Sequence, residues 1–423
     1  MANTMRTLAQ RGLVSQVSEG ELAERLAEPM VLYAGFDPTA SSLHIGNLLQ
    51  IVLLMRFQRD GHRPIALVGG ATAMIGDPSG KSEERVLLDE ATIEGNLAGI
   101  RKQLGQFLDF GEGASGAKLV NNADWIGAFS FVEFLRDVGK YFRVGEMMAK
   151  ESVRKRLESE AGMSFTEFSY QMLQSYDFVH LARQEGCLLQ VGGDDQWGNI
   201  TAGIELNRKL EGRKVYGLTS PLITTASGQK FGKTEAGTIW LDGERTSPYE
   251  FYQYWVRADD RDVIRLLKYF TFLPLAEIAE LEREVEQAPE KRQAQQVLAA
   301  QMTTLVHGEE QTRRVQAAAG ALFGKAISGL SDAELDTIFA EAPRTTVGRE
   351  RLDGGLAVLD VLVETGLCGS RGEAKKLIKS GGAYVNNVRV GSLEETVTGE
   401  SLASESIAVL RTGKKKYHLL KFE

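Results

Sequence analysis

The sequence predicts an α/β fold with a mostly parallel sheet, followed by a helical domain and a small basic C-terminal unit. Three observations carry this reading. Short apolar runs alternate with helical patterns through the first half, the ordering that builds a parallel sheet. From about Ser247 to Leu322 the strand-like runs vanish, and long charged segments with helical periodicity take over. Residues 370–423 hold 10 Lys+Arg against 6 Asp+Glu, whereas the remainder holds 39 against 51, so a basic tail follows an acidic body.

Taken in order, VLYAGF (31–36) reads as a first strand, and a helical pattern follows from Gly46 to Asp60, closed by Gly61. PIALVGG gives a second strand, and CLLQVGG a third before another helix. The stretch from Pro343 to Gly355, PRTTVGRERLDGG, is polar and rich in Gly and Arg, and reads as a linker. The expected division is therefore residues 1–245, 246–342, a linker at 343–355, and 356–423, in keeping with about three units for 423 residues.

Composition excludes several classes. No apolar run approaches the roughly 18 residues that span a bilayer. The first 28 residues carry four Glu and no continuous apolar core, unlike a signal peptide, so a cytoplasmic protein without membrane partners is expected. Cys187 and Cys368 stand far apart, without companions at metal-ligand spacing, which argues against disulfides and structural zinc.

In a parallel sheet the ligand lies beyond the carboxyl ends of the strands, so the polar residues just after each strand are the candidates. The first such segment, GFDPTASSLHIGN, offers Gly35 for close approach, Asp37, and His44 before a helix start, where free N–H groups favour phosphate. VGGATAMIGDPSGKS and TTASGQKFGKT both end in Gly-Lys-Ser/Thr. Neither is a P-loop, because Ile75 and Ser227 occupy the first-glycine positions. Gly228, Gly232 and Gly237 around Lys230, Lys233 and Thr234 nonetheless describe a flexible loop able to close over a triphosphate, or else a solvated hairpin. In LQVGGDDQWGN, Gln190 lies on the strand, and Asp194, Asp195 and Gln196 stand at its end. The helix upstream, FTEFSYQMLQSYDFVHLARQEG, places Phe168, Met172 and Val179 on one side and Tyr170, Gln174 and Asp177 on another. Facing the sheet edge, that second side would present a phenol, an amide and a carboxylate to a small ligand.

HIGN at His44–Asn47 resembles the HIGH signature of class I aminoacyl-tRNA synthetases, and KFGKT resembles their KMSKS-type loop. With YAGFDPTASSLHIGN, GGATAMIGDP, SFTEFSYQMLQSYDF, GGDDQWGNI and PLITTASGQKFGKTEAGTIWLD in that order, nearly the whole chain resembles the bacterial tyrosyl-tRNA synthetases. The resemblance implies a Rossmann-like catalytic domain, a helical domain meeting the anticodon region, and an S4-like α+β RNA-binding domain. It implies tRNA(Tyr), L-tyrosine and ATP as partners, Mg²⁺ accompanying ATP, no tightly bound metal, and a homodimer.

The same resemblance assigns roles by position. Tyr33 and Asp177 would hold the substrate's phenolic hydroxyl. Asp77, Tyr170 and Gln174 would bind its α-amino group, with Gln190 and Gln196 positioning it. Thr39, His44, Asn47, Lys230, Lys233 and Thr234 would act on the phosphates. Gly35, Asp37, Gly46, Gly193, Asp195, Phe231 and Gly232 would complete the ATP site. Arg371, Lys375, Lys376 and Lys379 on one C-terminal helix would meet RNA. Three positions depart from the family pattern: Asn47 replaces the second His of the signature, Asp194 stands where Ser is usual, and Ala34 lacks a polar side chain offered to the ribose by some relatives. Two rival readings remain: another adenylate-forming enzyme, such as a nucleotidylyltransferase or the tryptophan-specific relative, and a non-catalytic RNA-binding protein. The pair Tyr33 and Asp177 separates the first from the tyrosine reading, and intact phosphate motifs count against the second.

Overall fold

The computed structural model describes the chain except residues 1–3, 80–87, 159–161, 227, 229–230, 235–236, 323–325, 328, 341 and 414–415. The chain divides into two compact units, residues 1–247 with 255–298 and residues 248–254 with 299–423.

The first unit is built on a six-stranded sheet: β1 (Gln16–Val17), β2 (Val31–Phe36), β3 (Arg63–Val68), β4 (Lys118–Asn121), β5 (Leu189–Gly193) and β6 (Tyr216–Ser220), in the order β1-β6-β5-β2-β3-β4. All neighbours are parallel except β1, which runs antiparallel to β6 at the edge. The central strands are nearly continuous apolar runs because helices cover both faces of such a sheet. The expected strands and the helix Ile45–Arg59 form where the sequence places them, whereas β1, β4 and β6 add strands that the reading did not single out.

The long amphipathic helix Phe165–Gln184 packs on Trp197–Glu211, and it buries Tyr170 and Asp177. The helices Asp260–Phe270 and Leu275–Gln287 belong to this unit, so the expected helical stretch 246–342 is not a compact body of its own. The reason is visible in two buried guanidinium groups. Arg11 donates to the carbonyls of Lys268 and Thr271, and Arg56 to those of Tyr269 and Thr271, which satisfies the C-terminal end of the Asp260–Phe270 helix. Burial, with the charge of Arg11 behind it, lowers Arg56 to about 9.

The second unit contains β9 (Arg344–Val347), β10 (Leu356–Ala357), β11 (Ala383–Val385), β12 (Val388–Arg389), β13 (Thr396–Val397), β14 (Ile407–Thr412) and β15 (Lys416–Phe422). Five of them form a sheet in the order β12-β11-β14-β15-β9. Residues 343–355 are therefore not a free linker: β9 pairs in parallel with β15, from Arg344 opposite Leu419 to Val347 opposite Phe422. Strand alternation divides the core between two faces. Ala408 and Leu410 pack with Leu359, Leu362 and Ile378, while Ile407 and Val409 pack with Leu335, Ile338 and Phe339. The helix Asp332–Ile338 thus covers the C-terminal sheet, and the expected boundary near residue 342 cuts through a core.

Candidate active site

Strand order reverses between β2 and β5, since β3 and β4 lie on one side of that pair and β6 on the other. A cavity of about 470 Å³ opens at the carboxyl ends of these two strands, where a sheet of this kind leaves a crevice. Its closed end holds Tyr33 from β2 and Asp177 from the Phe165–Gln184 helix. The Tyr33 hydroxyl is buried and has no hydrogen-bond partner among the described residues. Asp177 is held from behind: its Oδ1 accepts from Trp125 Nε1 at 2.8 Å and its Oδ2 from Asn122 Nδ2 at 3.0 Å. Burial pushes the Asp177 carboxyl up to about 7 despite those two donors, with the charge of Asp37 adding to the rise. Burial and then the charge of Asp177 push the Tyr33 phenol up, so it stays protonated and able to donate.

Next to this end lies a polar ring of carboxylate and amide groups. Asp77 Oδ2 accepts from Gln196 Nε2 at 2.7 Å, and Gln174 Nε2 donates to Gln196 Oε1 at 3.3 Å. Asn199 Nδ2 stands within reach of Ser79 Oγ, Gln174 Oε1 and Gln196 Oε1 at 3.2, 3.1 and 3.2 Å, so one buried amide orders the ring. Gln190 Oε1 is buried without a partner among the described residues. Asp37 accepts from Thr72 Oγ1 at 2.8 Å and from the Tyr170 hydroxyl at 2.9 Å. A side chain at Gly69 would meet Asp37 Oδ1 at 2.0 Å, so only glycine lets this carboxylate sit there. Asp195 faces the same cavity, and burial together with the charge of Asp77 pushes its carboxyl up. Four carboxylates around one crevice suit a ligand that brings an ammonium group.

The outer end is formed by Gly35, Thr39, Gly193 and the start of the Ile45–Arg59 helix. His44 is the cap of that helix: its Nδ1 accepts from the Gly46 N–H at 3.0 Å, while Asn47 Oδ1 accepts from the His44 N–H at 3.1 Å. An accepting Nδ1 leaves Nε2 as the nitrogen that carries the proton. The cap likewise engages the carbonyl end of Asn47, so any bond from Asn47 to a ligand comes from its NH2 group. Helix dipole, His44 Nε2–H and this amide together make an anion-binding mouth.

KFGKT enters beside it. Lys233–Thr234 (β7) and Gly237–Thr238 (β8) form a short antiparallel hairpin, one of the two forms the glycine-rich stretch allowed. Gly232, at φ +82°, packs so closely on Ile45 that a side chain would meet its Cγ2 at 2.4 Å. Ile45 N–H and Leu241 N–H donate to the carbonyls of Ile239 and Leu43, which fastens the segment after the hairpin to HIGN. Phe231 was expected in the ATP site, but its apolar ring lies against Phe270 and Trp255, at 5.6 and 5.7 Å between centroids, rather than in the cavity lining. Lys230 lies outside the described residues.

In the second unit Arg371, Lys375, Lys376 and Lys379 are exposed on the helix Arg371–Lys379, whose Ala374 and Ile378 face the core. Arg371 also pairs with Asp360 at 2.9 Å. The residues that the sequence reading missed are Asn122, Trp125, Thr72 and Asn199. The first two follow β4 in the stretch VNNADW. The rule of looking just past each strand would have found them had KLVN been recognised as one.

The fold, the capped HIGN helix and the adjoining KFGKT hairpin define a class I aminoacyl-tRNA synthetase. Residues 25–324 match the family described as tRNA synthetases class I (W and Y), and residues 334–420 match the tyrosine–tRNA ligase SYY-like C-terminal domain. The tyrosine–tRNA ligase of Rhodopirellula baltica is 52% identical over 416 residues, covering 98% of this chain and 95% of its own length. That of Geobacillus kaustophilus is 53% identical over 415 residues, covering 97% and 98%. A C-terminally truncated mitochondrial tyrosyl-tRNA synthetase of Aspergillus nidulans superposes with a TM-score of 0.68 at 33% identity, covering 76% of this chain and 95% of that one. The chain belongs to the tyrosyl-tRNA synthetases of class I. It uses ATP to activate tyrosine and transfers it to tRNA.

Proposed function

We propose that the cavity divides the two substrates between its ends. The closed end takes the tyrosine side chain: its hydroxyl donates to Asp177 and accepts from the Tyr33 hydroxyl. This reading rests above all on the buried Tyr33 hydroxyl, without a partner among the described residues, beside a carboxylate already fixed by Asn122 and Trp125. A ligand without that hydroxyl leaves buried polar groups unpaired, which is how the site rejects phenylalanine. Asp77, Tyr170 and Gln174 bind the α-ammonium, with Gln190 and Gln196 positioning the rest of the amino acid.

ATP lies across the outer end, along Gly35, Asp37, Gly46, Gly193 and Asp195. The tyrosine carboxylate attacks the α-phosphorus, its oxygen bonding as the bond to the bridging oxygen breaks, and pyrophosphate leaves. The terminal ribose hydroxyl of the tRNA then attacks the acyl carbon, its proton passing to the phosphate of the adenylate as the acyl–phosphate bond breaks and AMP leaves. The carboxylate is already a nucleophile, so the protein supplies position and charge rather than a base. Thr39, His44 and Asn47 donate to the phosphates, and Lys230, Lys233 and Thr234 bring the cations and the hydroxyl that the acidic cavity lacks. Mg²⁺ would arrive with ATP and add charge at the leaving pyrophosphate.

The chain acts as a cytoplasmic homodimer in this reading. The support for a dimer is apolar exposure: Phe131 and Val132 on the helix Phe131–Asp137, Val144 and Met148 on Val144–Met148, and Phe165 at the start of the next long helix. The helical stretch 246–342 meets the anticodon region, and residues 356–423 bind RNA through the exposed Lys375, Lys376 and Lys379, with Arg371 beside them. The test is tyrosine-dependent exchange between pyrophosphate and ATP. Exchange with tyrosine but not with phenylalanine or tryptophan, lost in Asp177→Ala, is expected. Exchange that survives in Asp177→Ala contradicts the pocket assignment.

A further inference from the structure

Two aspartates follow one another at the end of β5, and they point in opposite directions. Asp195 lines the cavity, whereas Asp194 does not. The Asp194 carboxylate turns to the edge of the sheet: Oδ2 accepts from Ser15 Oγ at 2.6 Å, and Oδ1 accepts from Gln16 Nε2 at 3.2 Å and from Thr219 Oγ1 at 2.6 Å. Its three donors come from two strands, since Gln16 starts β1, Ser15 precedes it and Thr219 lies on β6. The extra negative charge next to the nucleotide site is thus engaged at the sheet edge rather than opposed to the phosphates.

Asp194 opens the single 3-10 turn, Asp194–Gln196, that carries both Asp195 and Gln196. Gln196 bonds to Asp77 and accepts from Gln174 and Asn199, so the orientation of this turn is shared with the whole polar ring. We propose that Asp194 is a positioning residue: by tying this turn to the N-terminal segment Ser15–Gln16 and to Thr219, it sets where Asp195 and Gln196 stand against the substrates. A serine at this position has a single side-chain oxygen, whereas a carboxylate can serve donors on both strands at once. The inference rests on the proposed placement of Gln196 and Asp195 at the substrates.

The experiment measures pyrophosphate exchange at varied tyrosine and varied ATP for the full chain, alongside thermal unfolding. Asp194→Ala is expected to raise KM for tyrosine and for ATP by about tenfold, and Asp194→Asn, which keeps an acceptor oxygen, to recover most of that loss. Thr219→Val is expected to reproduce part of the effect on its own and to add less than twofold to Asp194→Ala, because its hydroxyl has then lost its partner. A purely structural role would lower the unfolding midpoint and leave both KM values alone. KM values within twofold of wild type in Asp194→Ala, or fully additive effects with Thr219→Val, overturn the proposal. Gln196→Ala runs as a control. If it changes KM while Asp194→Ala does not, the positioning role alone falls; if neither changes KM, the placement of this turn at the substrates falls with it. Should Asp194→Ala fail to fold, Thr219→Val and Ser15→Ala carry the same test, with the same twofold threshold.

Discussion

The two ends of the cavity are made differently. At the closed end Tyr33 sits on a central strand and Asp177 on a long helix, with the Asp177 carboxylate braced from behind by Asn122 and Trp125. At the outer end lie a helix cap and a hairpin of two-residue strands, fastened to that helix start by the segment that follows it. The difference matches the two tasks proposed for these ends. Choosing tyrosine needs a fixed, dry arrangement of one donor and one acceptor, whereas stabilising charge on passing phosphates needs donors and cations that can follow them.

The contrast can be broken most severely at Asp177. Replacement by Ala removes the acceptor and strands the Trp125 and Asn122 donors in a buried site, so kcat/KM for tyrosine should fall roughly 100-fold or more in pyrophosphate exchange. A comparable but differently distributed loss is expected at the outer end. His44→Ala should lower kcat by about 10²-fold with little change in KM for tyrosine, because its donor acts on developing charge. The same variant should lose roughly 1 kcal/mol of stability in denaturant unfolding, since the cap goes with it.

A milder change sharpens the comparison. Trp125→Phe removes one of the two braces and should raise KM for tyrosine about tenfold, leaving KM for ATP unchanged. The smallest effect concerns protons. Asp177 stands near 7 when folded, above its ordinary range, so its contribution to stability is complete at low pH and is lost as pH rises toward 7. A tyrosine hydroxyl bonded to the carboxylate favours the charged form and lowers that value, so binding near pH 6.5 should release a fraction of a proton. Calorimetry in buffers of different ionisation enthalpy measures it, and Asp177→Asn should abolish the release.

Much of this was legible in the residues. The apolar run VLYAGF, the helix that follows HIGN and the spacing of Tyr170, Gln174 and Asp177 on one helix each report a local rule, and each stands where that rule puts it, whereas the cap is His44 itself, a residue type the capping rule does not single out. What stayed hidden depends on partners distant in sequence. The run KLVN is too short and too polar to announce a strand, so Asn122 and Trp125 beyond it carried no signal. Residues 343–355 look like a linker until β15 supplies the partner for β9. Phe231 lies within a motif associated with nucleotide, yet Trp255 and Phe270 bring its ring into an apolar cluster. Asp194 stands out in the sequence only by its place at a strand end where Ser is usual, because its partners Ser15 and Thr219 are 179 and 25 residues away from it.

The central claim is that Tyr33 and Asp177 together recognise the substrate's hydroxyl. The most direct measurement is the ratio of kcat/KM for tyrosine to that for phenylalanine, in the wild-type chain and in Tyr33→Phe with Asp177→Asn. The account expects the ratio to collapse by roughly two orders of magnitude in the double variant, with the loss confined to tyrosine. A ratio that stays at its wild-type value would place tyrosine recognition elsewhere and contradict the account.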